Sequence, residues 1–297
     1  MKHWSNTISF VLATTGAAVG LGNIWQFPAL VSQGGLLFVA LYLLCVLVVG
    51  LPMMVAELVL GQCSQHNAVI GMQRLCHNSH VAKQWSWISL WGLGTLFLIV
   101  SFYSVVSGWS LHYIYLSITQ QLITEHSGLL WQQLNQSYAT QILWLTVFIG
   151  LTAWVITNEL KQGIEWVSNR IMPIFFMILL VITITTLTHQ GFEILKQQLL
   201  TPTSLSFLQT LKTALGQALF SLAVGAGCLF TYGAYLPKNQ PLMRSTFIII
   251  ILNVSVGLMS AATLLTVNGT SLSHEGGNLM FVALPQALAN IPYHSSI

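Results

Sequence analysis

The chain has 297 residues, of which 55% are apolar and only 5% are charged, whereas a soluble globular domain usually carries roughly a quarter charged residues. This composition excludes water as the main solvent, and a net charge of +3 is too small and too dispersed for a nucleic-acid surface. The apolar runs are continuous and do not alternate in period two. They therefore predict an all-α integral membrane protein in the lipid bilayer rather than a β-barrel.

Seven apolar segments stand out along the chain, against the roughly 20 residues that a helix needs to cross a bilayer core. We predict helices one to seven, in chain order, at Ile8 to Leu30, Leu36 to Leu60, Trp87 to Thr119, Thr140 to Val155, Ile171 to Leu187, Leu211 to Leu236 and Thr246 to Val267. After helix seven, residues 268–297 hold no run long enough to span.

The basic residues predict the orientation, because Lys and Arg stay preferentially on the cytoplasmic side of a membrane. With the amino terminus inside, the connectors on that side hold Lys2, Arg74, Lys83, Lys161, Arg170, Lys238 and Arg244. Only Lys196 and Lys212 then lie outside. The sequence therefore predicts a multi-pass protein of the cell membrane with a cytoplasmic amino terminus.

The middle of helix one is rich in glycine and reads Gly16-Ala17-Ala18-Val19-Gly20-Leu21-Gly22-Asn23, with Pro28 one turn further on. Glycine lacks a Cβ and proline lacks an amide donor, so a break here would leave backbone groups unpaired within the membrane. Such groups are tolerated only where protein, water or a ligand satisfies them. The alternative is close helix packing through Gly16 and Gly20, which lie four residues apart.

Helix six contains the same short pattern, Ala-Val-Gly-x-Gly, as helix one. The two copies are Ala18-Val19-Gly20-Leu21-Gly22 and Ala223-Val224-Gly225-Ala226-Gly227. Helices one and six are an odd number of crossings apart, so the copies run in opposite directions. Paired broken helices of this kind are typical of inverted-topology repeats with a site at the bilayer midplane, although so short a pattern also recurs by chance.

A broken helix has a definite chemical use. Exposed amides at a half-helix amino end favour a carboxylate, and exposed carbonyls coordinate a hard cation, so Na⁺ and an amino acid fit this pairing. Neutral side-chain oxygens for the ion could come from Asn23, Ser221 and Asn253, which could instead make polar contacts between helices. Tyr103 adds a hydroxyl for the site or for packing.

Glu57 is the only acidic residue well within an apolar run, and we predict a structural tie to the cytoplasmic end of a neighbouring helix rather than transport chemistry. The chain contains no Walker loop, nucleophile elbow or pair of catalytic carboxylates. An enzyme is therefore not predicted.

Several segments together resemble the neurotransmitter:sodium symporter family. They are Gly16 to Pro28, Gly34-Gly35 through Gly50-Leu51-Pro52 to Glu57 and Gly61, Tyr103 to Trp109, Gly163-Ile164-Glu165, Met172-Pro173, and Gly216-Gln217 through Gly225 to Tyr232. The resemblance implies a core of two inverted five-helix repeats that couples Na⁺ entry to uptake of an amino acid or related small amine. The first repeat would cover residues 1–190, and residues 191–297 would hold part of the second.

The resemblance also implies which residues bind the ion and the substrate. A first sodium site is implied at Ala18, Asn23, Ser221 and Asn253. Substrate contacts are implied at Ala18, Gly20, Leu21, Gly22, Tyr103, Phe220 and Ala223. The Leu21 and Gly22 amides and the Tyr103 hydroxyl would face the substrate carboxylate. Gly16 and Val19 match the first-helix part of a second sodium site.

The sequence departs from the family pattern in four respects. It stops within or just after what resembles the loop following helix seven, so we expect an incomplete chain without the rest of the second sodium site. Gln26 replaces the arginine usual in the extracellular gate, and Gly257 stands at a position linked to chloride, so chloride dependence is not inferred. Small residues at Ala223 and Ala226 predict room for a bulky apolar substrate. The rival interpretation is a membrane protein that does not transport and whose helices only pack or associate.

Overall fold

A computed structural model describes residues 3–121, 127–187, 191–200, 205–238, 240–268, 277–283 and 285. These ranges are helical with no β-strand, as the composition predicts. Five of the described helices are long and apolar enough to cross a membrane, namely Gly22–Ser64, Lys83–Ile118, Tyr138–Thr157, Leu160–Thr186 and Met243–Thr266. They cover the predicted helices two, three, four, five and seven, apart from the last residue of helices three, five and seven. The stretch after helix seven lies mostly outside the described residues.

Helix one gives no span of its own because it is broken, as predicted. Its first half, Thr7–Ala18, is too short to span alone, and Val19 after it is extended with φ −74° and ψ 113°. The second half covers residues 21–34 and includes the π-helical turn Gly22–Gln26. Gly35 then turns the chain into helix two through a left-handed φ of 54°, a conformation that glycine adopts at little cost.

Helix six is broken as well, into Phe207–Ser221 and Cys228–Ala234. It begins earlier than its apolar run because Ser206 and Gln209 form a capping box, in which the Ser206 hydroxyl accepts from the Gln209 amide. The seven predicted segments therefore give five continuous spans and two interrupted ones. The predicted fold class, an all-α membrane protein with helices one and six broken, is confirmed.

The remaining membrane helices follow the predicted segments with small differences at their ends. Three consecutive segments, Phe27–Cys45, Val46–Gly50 and Leu51–Ser64, run from the second half of helix one to the end of helix two. Helix three is Trp87–Ile118 and helix four is Tyr138–Thr157. Helix five consists of Leu160–Glu165 and Trp166–Thr186, and helix seven is Met243–Asn268. Helix five starts well before the predicted Ile171. Its polar first turns are satisfied by protein, since Asn169 donates to the Ser9 hydroxyl at 2.9 Å and Glu165 accepts from the Ser5 amide at 3.3 Å.

Short helices in the connectors were not predicted. They are Ala68–Asn78, Ser127–Gln136 and Phe192–Leu200, together with the turns Lys83–Ser86 and Leu279–Ala283. Each of the three helices carries polar residues on one face and apolar residues on the other, so none forms a continuous apolar run.

Helices one, two, six and seven form the core, and helix four lies at the periphery. Helix four has no buried residue, and side chains such as Trp154 are more than half exposed, as expected for a surface that faces lipid. The second half of helix six packs against helix two through glycine, because a Cβ at Gly61 would collide with the Phe230 carbonyl and one at Gly233 with the Leu58 carbonyl. This arrangement holds both breaks at the centre of a multi-pass membrane protein.

Candidate ion and substrate site

The break in helix one exposes two backbone amides beside a tyrosine. Val19 ends the first half by donating its amide to the Thr15 carbonyl at 2.7 Å, and the chain becomes helical again at Leu21. The Leu21 and Gly22 amides face the Tyr103 hydroxyl of helix three. A half-helix amino end with a neighbouring hydroxyl can hold a carboxylate.

The break in helix six is longer and is tied to helix two. Residues 222–227 are not helical, and Ala223, Gly225 and Gly227 have φ values of 53°, 88° and 81°. The Gly225 amide donates to Glu57 Oε2 at 3.0 Å. Glu57 is therefore tied to a neighbouring helix, but at the helix-six break rather than at the cytoplasmic helix end that we predicted. The bond satisfies an amide that the break leaves without a helical acceptor.

Three neutral side chains from helices one, six and seven meet in a buried network. Asn23 Nδ2 donates to Asn253 Oδ1 at 2.7 Å, and Asn253 Nδ2 donates to Ser221 Oγ at 3.4 Å. Asn23 and Asn253 are fully buried, and Ser221 is 2% exposed. Asn23 Oδ1 has no hydrogen-bond partner among the described residues. A buried oxygen without a donor is suited to a cation, so these residues fit the group that the sequence implies.

Two further polar residues lie beside this network, and the sequence analysis assigned no role to them. The Tyr42 hydroxyl lies 3.1 Å from Ser221 Oγ, and Gln217 Nε2 donates to the Gly22 carbonyl at 3.0 Å. Gln217 Oε1, like Asn23 Oδ1, has no described partner. Their only signal in the sequence is a neutral polar side chain within an apolar run.

A cavity of about 290 Å³ opens beside the helix-one break. It is lined by Leu21, Gly22, Trp25, Gln26, Phe102, Tyr103 and Phe220. Four of these are predicted substrate contacts, and the other three were missed. Trp25 and Gln26 follow Leu21 and Gly22 by one helical turn, so helical spacing could have predicted them. Phe102 directly precedes Tyr103, and helical spacing does not single it out.

The other predicted substrate contacts lie around this cavity without lining it. Gly20 packs under Tyr103, since a Cβ there would lie 3.1 Å from Tyr103 Cε1. Ala18 is buried at the end of the first half-helix, and Ala223 adopts its left-handed conformation in the helix-six break. Ala226, from which we expected extra room, is also not a lining residue. Its carbonyl would lie 3.0 Å from a Cβ at Gly92 of helix three.

The two residues assigned to a second sodium site, Gly16 and Val19, lie at the end of the first half of helix one. Gly16 faces helix five, because a Cβ there would be 3.2 Å from Met172 Sδ, and Val19 is the extended residue of the break. No described contact joins Gly16 or Val19 to Asn23, Ser221 or Asn253. The second site stays a prediction.

Comparison with known proteins agrees with this geometry. The model of the family described as "Sodium:neurotransmitter symporter family" matches residues 1–142 and 137–297, which together cover the whole chain. The chain belongs to this family. Sodium:neurotransmitter symporters are membrane transporters, so the resemblance recognised in the sequence is confirmed.

Several relatives in the family show how much of a transporter the chain represents. YhdH, an uncharacterized sodium-dependent transporter of Bacillus subtilis, is 32% identical over 98% of this chain and 65% of its own length. The sodium- and chloride-dependent GABA transporter 2 of Mus musculus is 25% identical over 98% of this chain and 56% of its own length. The crystal structure of MhsT in complex with L-phenylalanine has a TM-score of 0.86 at 32% identity and covers 97% of this chain and 66% of that chain. The chain therefore spans about two thirds of these relatives or less.

Proposed function

We propose that this chain binds Na⁺ together with an amino acid, as the ligand-binding part of a sodium-coupled symporter. The observation that carries the proposal is the convergence of Asn23, Ser221 and Asn253 between the two helix breaks, with Asn23 Oδ1 buried and unpaired. The substrate moves across the membrane in this scheme and undergoes no chemical change.

The ion would be held by the side-chain oxygens of Asn23, Ser221 and Asn253 and by the Ala18 carbonyl. All of these ligands are neutral, so a monovalent cation adds a single charge to the membrane interior and no carboxylate must be buried with it. The Asn23 NH₂ group already donates a hydrogen bond to Asn253 Oδ1, which keeps both side chains in place before the ion arrives. Na⁺ would bind Asn23 Oδ1, which has no hydrogen-bond donor among the described residues.

The amino acid would bind with its carboxylate on the Leu21 and Gly22 amides and the Tyr103 hydroxyl. The rest of the cavity is largely apolar and aromatic, with Trp25, Phe102 and Phe220 among its walls. Its volume of about 290 Å³ lies at the lower end of small-ligand pockets. These walls favour an apolar or aromatic side chain, and the relative MhsT was crystallised with L-phenylalanine.

The larger organisation follows from the two breaks. We infer an inverted pair of repeats, the first at residues 1–190 and part of the second at residues 191–297, with the amino terminus in the cytoplasm. The repeated Ala-Val-Gly-x-Gly pattern and the seven basic residues on the amino-terminal side support this inference. Chloride is not part of the proposal, because Gly257 offers no side chain and a Cβ there would meet the Phe27 ring at 3.4 Å.

Binding of L-phenylalanine to the purified chain in NaCl and in KCl tests the proposal. We expect binding in NaCl, weaker binding in KCl, and a loss of about tenfold or more for Tyr103→Phe, which removes a hydrogen bond to a charged group. Tyr115→Phe is the matched control, since Tyr115 lies on the same helix and is exposed. Equal binding in both salts, or equal loss in both variants, would favour the rival membrane protein without a transport site.

A further inference from the structure

A second surface of the molecule carries positive charge without a matching carboxylate. We call it the basic surface, and it consists of the exposed residues Arg74, His77, His80 and Lys83, on the connector helix Ala68–Asn78 and the residues that lead into helix three. No acidic residue occurs in the sequence between Glu57 and Glu125. Within the described part of the chain, neither Arg74 nor Lys83 forms an ion pair. The charge is therefore available to an anion from outside the chain.

Exposed tryptophans follow the basic surface immediately. Trp85, Trp87 and Trp91 have exposed fractions of 54%, 61% and 74% at the start of helix three. Tryptophan is enriched at the membrane–water interface, where its ring can contact lipid and its N–H can reach polar groups. Three such rings in seven residues therefore indicate the depth at which helix three enters the bilayer. The basic residues just before them would then lie near the level of the lipid phosphates.

The connector helix holds these side chains on a fixed support. Asn67 caps its first turn by accepting from the Ile70 amide at 2.9 Å. On the opposite face, a Cβ at Gly71 would lie 2.6 Å from Ser64 Oγ and 2.7 Å from Phe230 Cε1, so this helix packs directly on the second half of helix six. An anion bound at the basic surface would therefore stabilise the packing of this connector helix on helix six, without a change of conformation.

We propose that the basic surface binds the phosphate of an anionic phospholipid headgroup. The lipid is the occupant that the observations favour, because the tryptophans place the cations beside the bilayer and the surface has the opposite charge to such headgroups. Arg74 and Lys83 supply the charge, and His77 and His80 supply further ring N–H donors. The basic surface and the amino terminus lie on the same side of the membrane, since helices one and two separate them. The proposal does not depend on the sodium site.

The predicted opposite side of the protein offers a matched control. Lys196 lies 4.0 Å from Glu193 in the connector helix Phe192–Leu200, so part of its charge is already balanced. Lys212 is exposed in the first half of helix six. Replacing these two lysines removes the same net charge as replacing Arg74 and Lys83 but leaves the basic surface intact.

The test is a titration of phosphatidylglycerol or phosphatidylcholine into the purified chain in uncharged detergent with KCl, followed by thermal unfolding. Phosphatidylglycerol should raise the melting temperature more than phosphatidylcholine at equal mole fraction. The double variant Arg74→Gln/Lys83→Gln should bind phosphatidylglycerol about fivefold more weakly for each cation removed. Lys196→Gln/Lys212→Gln should bind it as the parent does, and Arg74→Lys/Lys83→Arg should retain most of the affinity.

Three outcomes would overturn the proposal. The first is an equal melting shift with the two lipids, and the second is an equal loss in the two Gln double variants. The third is an equal shift with inorganic phosphate alone, which would show that a soluble anion is the ligand. Arg74 contacts the His66 ring on the same connector, but both Arg74 and Lys83 are exposed and form no ion pair among the described residues. The double variant should therefore keep nearly the parent's melting temperature without lipid, and the conservative pair checks this directly.

Discussion

The breaks in helices one and six have almost the same sequence but different backbones. In helix one, residues 19–20 interrupt the helix without a left-handed residue, whereas in helix six residues 222–227 do so with three. The helix-one break faces the cavity and Tyr103, and the helix-six break is held by Glu57. A short motif therefore permits a break, and the neighbouring side chains decide its form.

The comparison suggests a division of labour between the two breaks. The second half of helix six is fixed to helix two by glycine contacts and by Glu57, so substitutions there should mainly reduce stability. The second half of helix one presents the Leu21 and Gly22 amides and the Tyr103 hydroxyl to the cavity, so substitutions there should mainly reduce ligand binding. Each of the following predictions tests this division.

The largest effect is expected for Gly61→Val on helix two. Its side chain would collide with the Phe230 carbonyl, and backbone cannot move aside as a flexible side chain can. We expect a loss of about 3 kcal/mol or more, seen as a lower melting temperature. Gly94→Val on helix three is the control, because nothing lies within 4 Å of a Cβ there. A Gly61→Val protein as stable as the Gly94→Val protein would contradict the packing of helix six on helix two.

Glu57→Leu should have the next largest effect, because it removes the charged acceptor of the Gly225 amide in the helix-six break. The expected cost is about 1 to 3 kcal/mol. Glu57→Gln keeps an acceptor oxygen and should lose less. Both variants should keep the preference for Na⁺ over K⁺, since Glu57 serves the structure of the break. If Glu57→Gln abolished that preference at unchanged stability, the carboxylate would belong to the ion site instead.

Equivalent glycines of the two motifs give the sharpest contrast. Gly225 has φ 88° and open space around its Cβ position, so Gly225→Ala should cost about 1 to 2 kcal/mol of stability through backbone strain alone. Gly20 does not have a positive φ, but a Cβ there would lie 3.2 Å from the Tyr103 hydroxyl. Gly20→Ala should therefore shift Tyr103 and weaken substrate binding, with a smaller change in melting temperature. Identical profiles for the two variants would remove the distinction between the breaks.

Much of the fold could be predicted because the bilayer imposes one strong rule. An apolar run long enough to span must be helical, and glycines in such a run mark where the helix can open, as at Val19 to Gly22. The connector helices were missed because they follow no such rule. The helix Ala68–Asn78, for example, is defined by its packing on Phe230 and by the Asn67 cap rather than by an apolar run.

The candidate site was predicted in part for a similar reason. Asn23, Ser221 and Asn253 were recognisable as neutral polar residues at glycine-rich or apolar positions, and the structure brings them together. Tyr42 and Gln217 carry the same kind of signal, but nothing in one sequence shows which polar residues face each other across helices. Ala226 shows the opposite error, because its small side chain suggested room for the substrate although it does not line the cavity.

The most direct measurement compares the melting temperature of the purified chain in NaCl and in KCl at equal ionic strength. If Asn23, Ser221, Asn253 and the Ala18 carbonyl bind Na⁺, stability should rise in NaCl by about 1.4 kcal/mol at ten times the dissociation constant. Asn23→Ala should remove this difference, and Asn169→Ala, at a half-buried asparagine that contacts Ser9 outside the site, should keep it. Equal melting temperatures in the two salts for the parent chain, or a sodium effect that survives Asn23→Ala, would contradict the sodium site between the two breaks.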